Sequence, residues 1–312
     1  MNEPIVSVVM PAFNAGQFIA EAVDSVIKQT FNSWELIIVN DGSTDDTQAI
    51  VEKYAVADPR IKLVNQQNKK LSAARNAGIA NAKGEWIAFL DADDSWVAEK
   101  LENQLATAEK QPAAGVIFSD GFIYYNNDLK PAQPYGAITG YFAPVDIYKL
   151  EYRGNYIPVL SVMVKKKYLD IVGWQDEQLR ACEDWDYWIR LALNGVEFYG
   201  MDEKLFFYRK HATNMSNNSV LMSLANAAVY IKNFRQDLLS TEDIVRVTGF
   251  INRTICSLVK PGKINEALFL NKGMYNISGR SLRKLSSFII DKLGKRSYYF
   301  VRLIFKIDTM LT

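Results

Sequence analysis

The stretch WIAFLDADDSW, residues 86–96, decides the fold. Five apolar residues, Trp86-Ile87-Ala88-Phe89-Leu90, stop at Asp91, and Asp93 and Asp94 follow at once. A short apolar run without polar alternation reads as a strand buried on both faces, the kind found in a parallel sheet covered by helices. Open α/β sheets bind ligands at the carboxyl ends of such strands, where these acids stand. Three like charges so close repel one another unless a cation joins them. A hard divalent ion carrying a phosphorylated ligand would meet that need. A solvated acidic turn that caps the helix starting near Val97 is the competing reading of the same residues.

On either side of this stretch, strand and helix patterns alternate. Strands are expected at 5–10 (IVSVVM, ending at Pro11), 35–39 (ELIIV), 61–64, 85–90 and 115–119. Between them, helical spacing predicts helices over 15–29, with Phe18, Ala22, Val26 and Ile27 on one face, and over 47–54, 71–81 and 98–110. Ser43 with Asp46 has the pattern of a capping box before the second of these. Such β-α-β alternation argues an α/β fold with a mainly parallel sheet flanked by helices. The glycine fingerprint of dinucleotide-binding folds is missing after the first strand, and so is the lysine-bearing phosphate loop.

Residues 120–180 break the pattern and are dense in aromatics, Tyr135, Tyr141, Tyr152 and Tyr156 among them. Aromatic faces can stack on sugar rings, and they also fill cores. A strand is expected at 157–164, a helix at 183–194, and two strands at 196–199 and 205–208. From Ser219 onward only helices are expected, at 219–238, 241–259, 263–272 and 281–311, with Pro261-Gly262 as punctuation.

The chain has 312 residues and two cysteines, Cys182 and Cys256. That is enough for one large domain and a smaller one, with neither a disulfide framework nor cysteine metal spacing, and it fits a reducing cytoplasm. No secretory leader is expected, because residues 1–4 lead straight into an apolar strand. No apolar run reaches bilayer-spanning length. The net charge of +1 hides an asymmetry: residues 1–110 carry 10 basic and 16 acidic side chains (−6), and residues 217–312 carry 15 and 6 (+9). Large apolar side chains are interleaved with the basic ones over 280–312. This predicts either a helix lying in an anionic membrane interface or a packed helix with a solvated basic face. No nucleic-acid motif accompanies the charge, so no nucleic-acid partner is expected.

Several ordered stretches carry a resemblance: VSVVMPAFN (6–14), LIIVNDGSTDDT (36–47), LSAARNAGI (71–79), FLDADDSW (89–96), CEDWDYWIRLAL (182–193) and YRKHATNMS (208–216). Together they resemble the family-2 glycosyltransferases over about residues 5–215. The resemblance implies a GT-A fold in 1–216, with an acceptor region over about 120–216, and a helical region at 217–312. It also implies inverting transfer of a sugar from a nucleotide-sugar, with UDP as the expected nucleotide, to a hydroxyl of a glycan or lipid-linked glycan. Surface-polysaccharide synthesis follows as the expected role, in the cytoplasm or at the inner face of the membrane.

Residue by residue, the resemblance puts Pro11, Ala12 and Phe13 around the nucleotide base and Asp41 in contact with it. Position 40, an aspartate in the family, is Asn40 here and can still accept a hydrogen bond. Arg75 and Asp91 fall beside the nucleotide. Asp93 and Asp94 fall at the donor, one by the ribose and one on Mn²⁺ or Mg²⁺, which suits an all-oxygen site open to phosphate. Glu183 belongs to the substrate site, and Asp184 is the expected general base. Two acids at a helix N-terminus feel its positive dipole end, so low carboxyl pKa values are expected there. Arg209 and His211, the sole histidine, are candidates to hold the diphosphate. Each has a plainer reading as well: turn residue, helix cap, ion pair or core. Trp174 and Trp185 fit an acceptor-sugar platform or core packing equally, Cys182 fits packing, and Asp186 should face solvent or a structural partner. A nucleotidyltransferase would need basic residues in 6–14, which has none, and a non-catalytic nucleotide-sugar-binding protein would not need all of acids 41, 91, 93, 94 and 184.

Overall fold

A computed structural model describes residues 3–125, 133–278, 290 and 294–298. The chain divides into two compact units, Met1–Asn214 and Met215–Thr312.

In the first unit the expected alternation is realised as β1 (Val6–Ala12), α1 (Ile19–Ile27), β2 (Trp34–Asn40), α2 (Thr47–Ala57), β3 (Ile61–Asn65), α3 (Leu71–Asn81), β4 (Trp86–Phe89), β5 (Ser95–Trp96), α4 (Lys100–Lys110) and β6 (Ala114–Tyr125). There follow β7 (Gln133–Pro134), β8 (Gly140–Phe142), α5 (Pro144–Glu151), β9 (Met163–Lys165), α6 (Lys166–Val172), α7 (Glu183–Leu193) and β10 (Glu197–Lys210). The sheet order is β3-β2-β1-β4-β9-β6-β10-β5. β3, β2, β1 and β4 are mutually parallel, so their carboxyl ends open on one edge. β9 enters antiparallel between β4 and β6, and β10 runs parallel to β6.

Every residue of β1, β2 and β4 is buried, as their unbroken apolar runs require. Val6, Val8 and Met10 join the core that contains Ile19, Ala22, Val23 and Val26 of α1. That buried face is turned slightly from the expected stripe, since Ile27 stays exposed. On the opposite face, α3 lies so close to β1 that a Cβ on Gly78 would meet Val9 Cγ1 at 2.4 Å.

Several expected elements differ. β1 runs through Pro11 instead of stopping there. The Val9 carbonyl accepts from the Leu90 amide and that of Ala12 from the Asp41 amide, so Pro11, in phase with Val9, turns its missing N–H toward β4, whose pairing has already ended. The strand expected at 157–164 is mostly a 3₁₀ turn (Val159–Ser161) before the short β9. The two strands expected at 196–208 are one, β10, with register shifts around Lys204 that accommodate the exposed Asp202 and Glu203. The α2 terminus is capped by Asp45, which accepts from the Thr47 amide (3.1 Å) and hydroxyl (2.5 Å), rather than by a Ser43–Asp46 box.

The second unit contains α8 (Ser219–Lys232), α9 (Thr241–Val259) and α10 (Ile264–Ser278). Asn218 and Ser240 cap the first two by accepting from the Leu221 and Asp243 amides (both 3.1 Å). Gly262, at φ +89°, makes the break after α9. The helix expected at 281–311 is interrupted at Gly294, φ +52°, which opens a 3₁₀ turn, Gly294–Ser297. The rest of that expectation, and the membrane-facing helix of 280–312 with it, lies outside the described residues. Among the described residues no helix is long and apolar enough to cross a membrane.

Candidate active site

The carboxyl ends of β1, β2 and β4 bring the first group of expected site residues together. Ala12 pairs with Asn40, so Phe13, half exposed, and Asp41 leave neighbouring strands side by side. Pro11 and Ala12 are buried in the strand itself. Asp41 is also buried. Its Oδ1 accepts from the Lys69 amide (2.8 Å) and Gln66 Nε2 (2.7 Å), and its Oδ2 from the Lys70 amide (2.8 Å). It thereby forms the turn that launches α3, with Lys70 at φ +78°. Asn40 accepts from the Ser43 amide and donates to Asn65 Oδ1 (2.9 Å), shaping the same edge. Asn14, at φ +50°, accepts from the Thr44 amide, and Asp45 accepts from the Gly16 amide, which laces the loops after β1 and β2 together.

The acidic loop runs from β4 to β5, and β5 pairs with β10, so the acids are held between two strands. Their surroundings differ. Asp91 is partly exposed and accepts from Arg75 at 2.7 Å. Asp93 Oδ2 lies 3.0 Å from His211 Nε2, and Asn214 donates to it at 3.4 Å. Asp94 is fully buried; its Oδ1 accepts from the Arg209 amide (2.8 Å), and its Oδ2 has no hydrogen-bond partner among the described residues. Burial, reinforced by the charge of Asp91, pushes the Asp93 carboxyl above its ordinary value despite His211. Burial and the charges of Asp93 and Asp91 push Asp94 well above.

Arg209, expected at the diphosphate, is paired with groups of the protein around the acidic loop. Its guanidinium pairs with Glu21 of α1, donates to the Asp93 carbonyl (2.9 Å), and lies 4.5 Å from the Tyr124 ring centre and 5.1 Å from that of Phe18. It braces the acidic loop against α1 and β6. His211 stacks obliquely on Phe18 at 4.7 Å.

Arg75 joins the two halves of the site. It is 1 % exposed, and its two terminal nitrogens pair with Asp91 and with Glu183, while its Nε has no partner among the described residues. The alternative reading of Arg75 as a surface ion pair does not hold. Asp184, the next residue on α7, is half-buried. It accepts from its neighbour's amide, Trp185 N–H (2.7 Å), and Asn155 Nδ2 lies 3.5 and 3.4 Å from its two oxygens. Burial and the adjacent Glu183 charge push its pKa up to about 7, against the pull of Arg75. The expectation of a low value fails because desolvation and a like charge outweigh the end of an 11-residue helix.

The remaining expectations resolve on packing. Trp185 is buried and donates to the Glu151 carbonyl (2.7 Å), so it is core and cannot be an acceptor platform; Trp174 stays exposed. Asp186 is buried on Arg190 at 2.9 Å. Cys182 is buried at φ +59° just before α7, and burial raises its thiol.

Comparison with known proteins now decides the class. The profile described as "Glycosyl transferase family 2" matches residues 7–157. TuaG of Bacillus subtilis, a glycosyltransferase named for teichuronic acid biosynthesis, is 34% identical over 69% of this chain and 83% of its own length. The chain belongs to glycosyl transferase family 2. A second member, WfaP of Escherichia coli, named as a UDP-Glc:alpha-D-GlcNAc-diphosphoundecaprenol beta-1,3-glucosyltransferase, is 31% identical over 69% of this chain and 80% of its own. The structure of S. aureus TarS 1-349 in complex with UDP-GlcNAc superposes with a TM-score of 0.68 at 20% identity, covering 97% of this chain and 92% of that one. The enzyme is a glycosyltransferase, and its fold is the GT-A fold.

Sequence reasoning missed some of this family-2 enzyme's site neighbours. Asn155 sits in an irregular segment with no period to mark it. Glu151 is fully buried close enough to Asp184 to feel its charge. The phenol of Tyr135 is raised by burial and by the charge of Asp184, and its ring meets Phe206 and Tyr208 edge-on. Glu21 pairs with Arg209, 188 residues away, and no local pattern marks the pair.

Proposed function

We propose that this enzyme moves a sugar from a UDP-sugar, with inversion, to a hydroxyl of a lipid-linked glycan during surface polysaccharide or glycolipid synthesis. The observation that carries the reading is the Arg75 bridge, which links Asp91 of the acidic loop to Glu183 beside Asp184. Asp91 of the acidic loop and Glu183, the chain neighbour of Asp184, thus share one buried arginine. The activity for which WfaP is named and the UDP-GlcNAc complex of TarS support UDP as the nucleotide.

Asp184 takes the proton of the acceptor hydroxyl as its oxygen bonds to the anomeric carbon. The bond from that carbon to the diphosphate breaks on the opposite side, which inverts the centre. A base with a pKa near neutrality is matched to this task. Arg75 keeps the neighbouring Glu183 paired, so Asp184 is the acid of the pair left to take up a proton. Phe13 and Asp41, at the ends of β1 and β2, would border the base.

The acids also fit a divalent cation. Asp93 and Asp94 are crowded and raised, and the buried Asp94 Oδ2 has no hydrogen-bond partner among the described residues, so a further cation there would relieve both acids. Among the described residues no three acidic, cysteine or histidine side chains converge on one point. An ion shared with a diphosphate needs only one or two carboxylates. Asp93, with His211 beside it and Asp94 behind, would hold Mn²⁺ or Mg²⁺, which would neutralise the leaving diphosphate.

A panel of UDP-, GDP- and dTDP-sugars tests the reading, scored by nucleotide release and by thermal shift with and without Mn²⁺. Binding of UDP-sugars that needs the metal is expected; metal-independent binding of every donor would refute it. The basic composition of 217–312 supports a peripheral position on an anionic membrane. Full-length chain should float with phosphatidylglycerol liposomes and not with phosphatidylcholine ones; equal flotation, or none, would remove that part.

A further inference from the structure

We infer that Asn155 and Tyr156 form the acceptor-sugar subsite, with the Tyr156 ring as the surface on which a pyranose of the acceptor stacks. This inference rests on the glycosyl-transfer reading and on Asp184 as its base.

The helix that carries Asp184 also holds the loop between α5 and the Val159–Ser161 turn at both ends. Trp185 Nε1 donates to the Glu151 carbonyl (2.7 Å), and Trp188 Nε1 donates to the Ile157 carbonyl (3.1 Å). Both indoles are buried, so the stapling belongs to the core and not to the surface. Inside the loop, the buried Glu151 carboxylate accepts from the Tyr156 amide (3.2 Å). Loop and base are therefore built as one unit, and the loop cannot drift from Asp184 without breaking core contacts.

The loop delivers two exposed side chains. Asn155 Nδ2 stands 3.4 and 3.5 Å from the Asp184 oxygens, a long contact that orients the carboxylate and leaves the amide able to serve a hydroxyl arriving there. Tyr156 follows it and is 39 % exposed, whereas Tyr148, Tyr152, Trp185 and Trp188 around it are buried. The ring lies alongside Gly154, where an added Cβ would meet its Cε2 and Cζ at 3.5 Å. An aromatic left open one residue along from the Asn155 that meets Asp184 suits a ligand with an apolar face and a ring of hydroxyls, which describes a pyranose.

The test uses octyl glycosides of glucose, galactose and N-acetylglucosamine as acceptors, with UDP-glucose and UDP-GlcNAc as donors. Tyr156→Ala should raise the acceptor KM about tenfold, the worth of one aromatic face, while the donor KM moves less than about twofold. Tyr156→Phe keeps the ring and should restore the acceptor KM. Where no octyl glycoside is turned over, saturation-transfer NMR of the same glycosides with UDP present replaces KM, and signals seen with the wild type should vanish with Tyr156→Ala. An unchanged acceptor KM, equal shifts in both KM values, or glycoside signals that persist in the variant or never arise would overturn the subsite. A wild-type enzyme that releases UDP from no donor would instead strike the glycosyl-transfer reading itself.

Discussion

At Asp184, the proposed base, the demands of stability and chemistry conflict. Its carboxyl is raised to about 7, chiefly by burial. A base works only when deprotonated, so kcat/KM should fall about tenfold per pH unit below 7 and level off above it. The same shift has the opposite sign for stability. An acid whose pKa is higher in the folded state loses folding free energy as pH rises through that value. Asp184→Asn should therefore raise Tm most at pH 8, less at pH 5, and little below about pH 4, where the carboxyl is protonated in both folded and unfolded chains; a drop at pH 8 would contradict the shift. Arg75 has no such latitude. Arg75→Met would leave Glu183 and Asp91 without their buried cation, at a cost of about 3–5 kcal/mol in urea unfolding. Legibility at this scale divides by distance along the chain. Asp41, the 91–94 acids and Glu183-Asp184 stand in short motifs and could be picked out directly. The Asn155 contact and the Glu21–Arg209 pair are made only by folding, across 29 and 188 positions, with nothing periodic to mark them.

At the scale of elements, α3 shows how a small residue sets the site. Arg75 reaches both acids because its helix lies almost on β1, and Gly78 permits that approach. In an exposed helix, glycine to alanine gains about 1 kcal/mol. Here the new Cβ would lie 2.4 Å from Val9 Cγ1, so overpacking wins and Gly78→Ala should destabilise by about 1–3 kcal/mol by denaturant titration. It should also lower activity, because Arg75 moves with the helix. The buried strands could be read from their apolar runs. β9 and the continuous β10 could not, because their pairing depends on neighbours distant in sequence: β9 is three residues long between β4 and β6, and β10 tolerates two exposed acids through its register shifts.

At the scale of the whole molecule, every candidate site residue lies in the unit Met1–Asn214. A chain of residues 1–214 should bind UDP with Mn²⁺ within about threefold of the full-length affinity by calorimetry, as expected of a domain with its own core. A loss of more than about a hundredfold would make the helical unit part of the nucleotide site. Chelation with EDTA should abolish transfer by the full chain, and added Mn²⁺ or Mg²⁺ should restore it. The charge contrast between the ends of the chain was readable from composition alone; the resemblance implied a boundary after residue 216, and the two compact units divide after Asn214.

Central to the proposed function is Asp184 taking the acceptor's proton, one residue from the Glu183 that Arg75 ties to Asp91. The most direct measurement compares single-turnover transfer by Asp184→Asn and wild type under saturating UDP-sugar and metal. The predicted result is a loss of about 10²–10⁴-fold in rate with donor affinity unchanged. Transfer within a few-fold of wild type would contradict it.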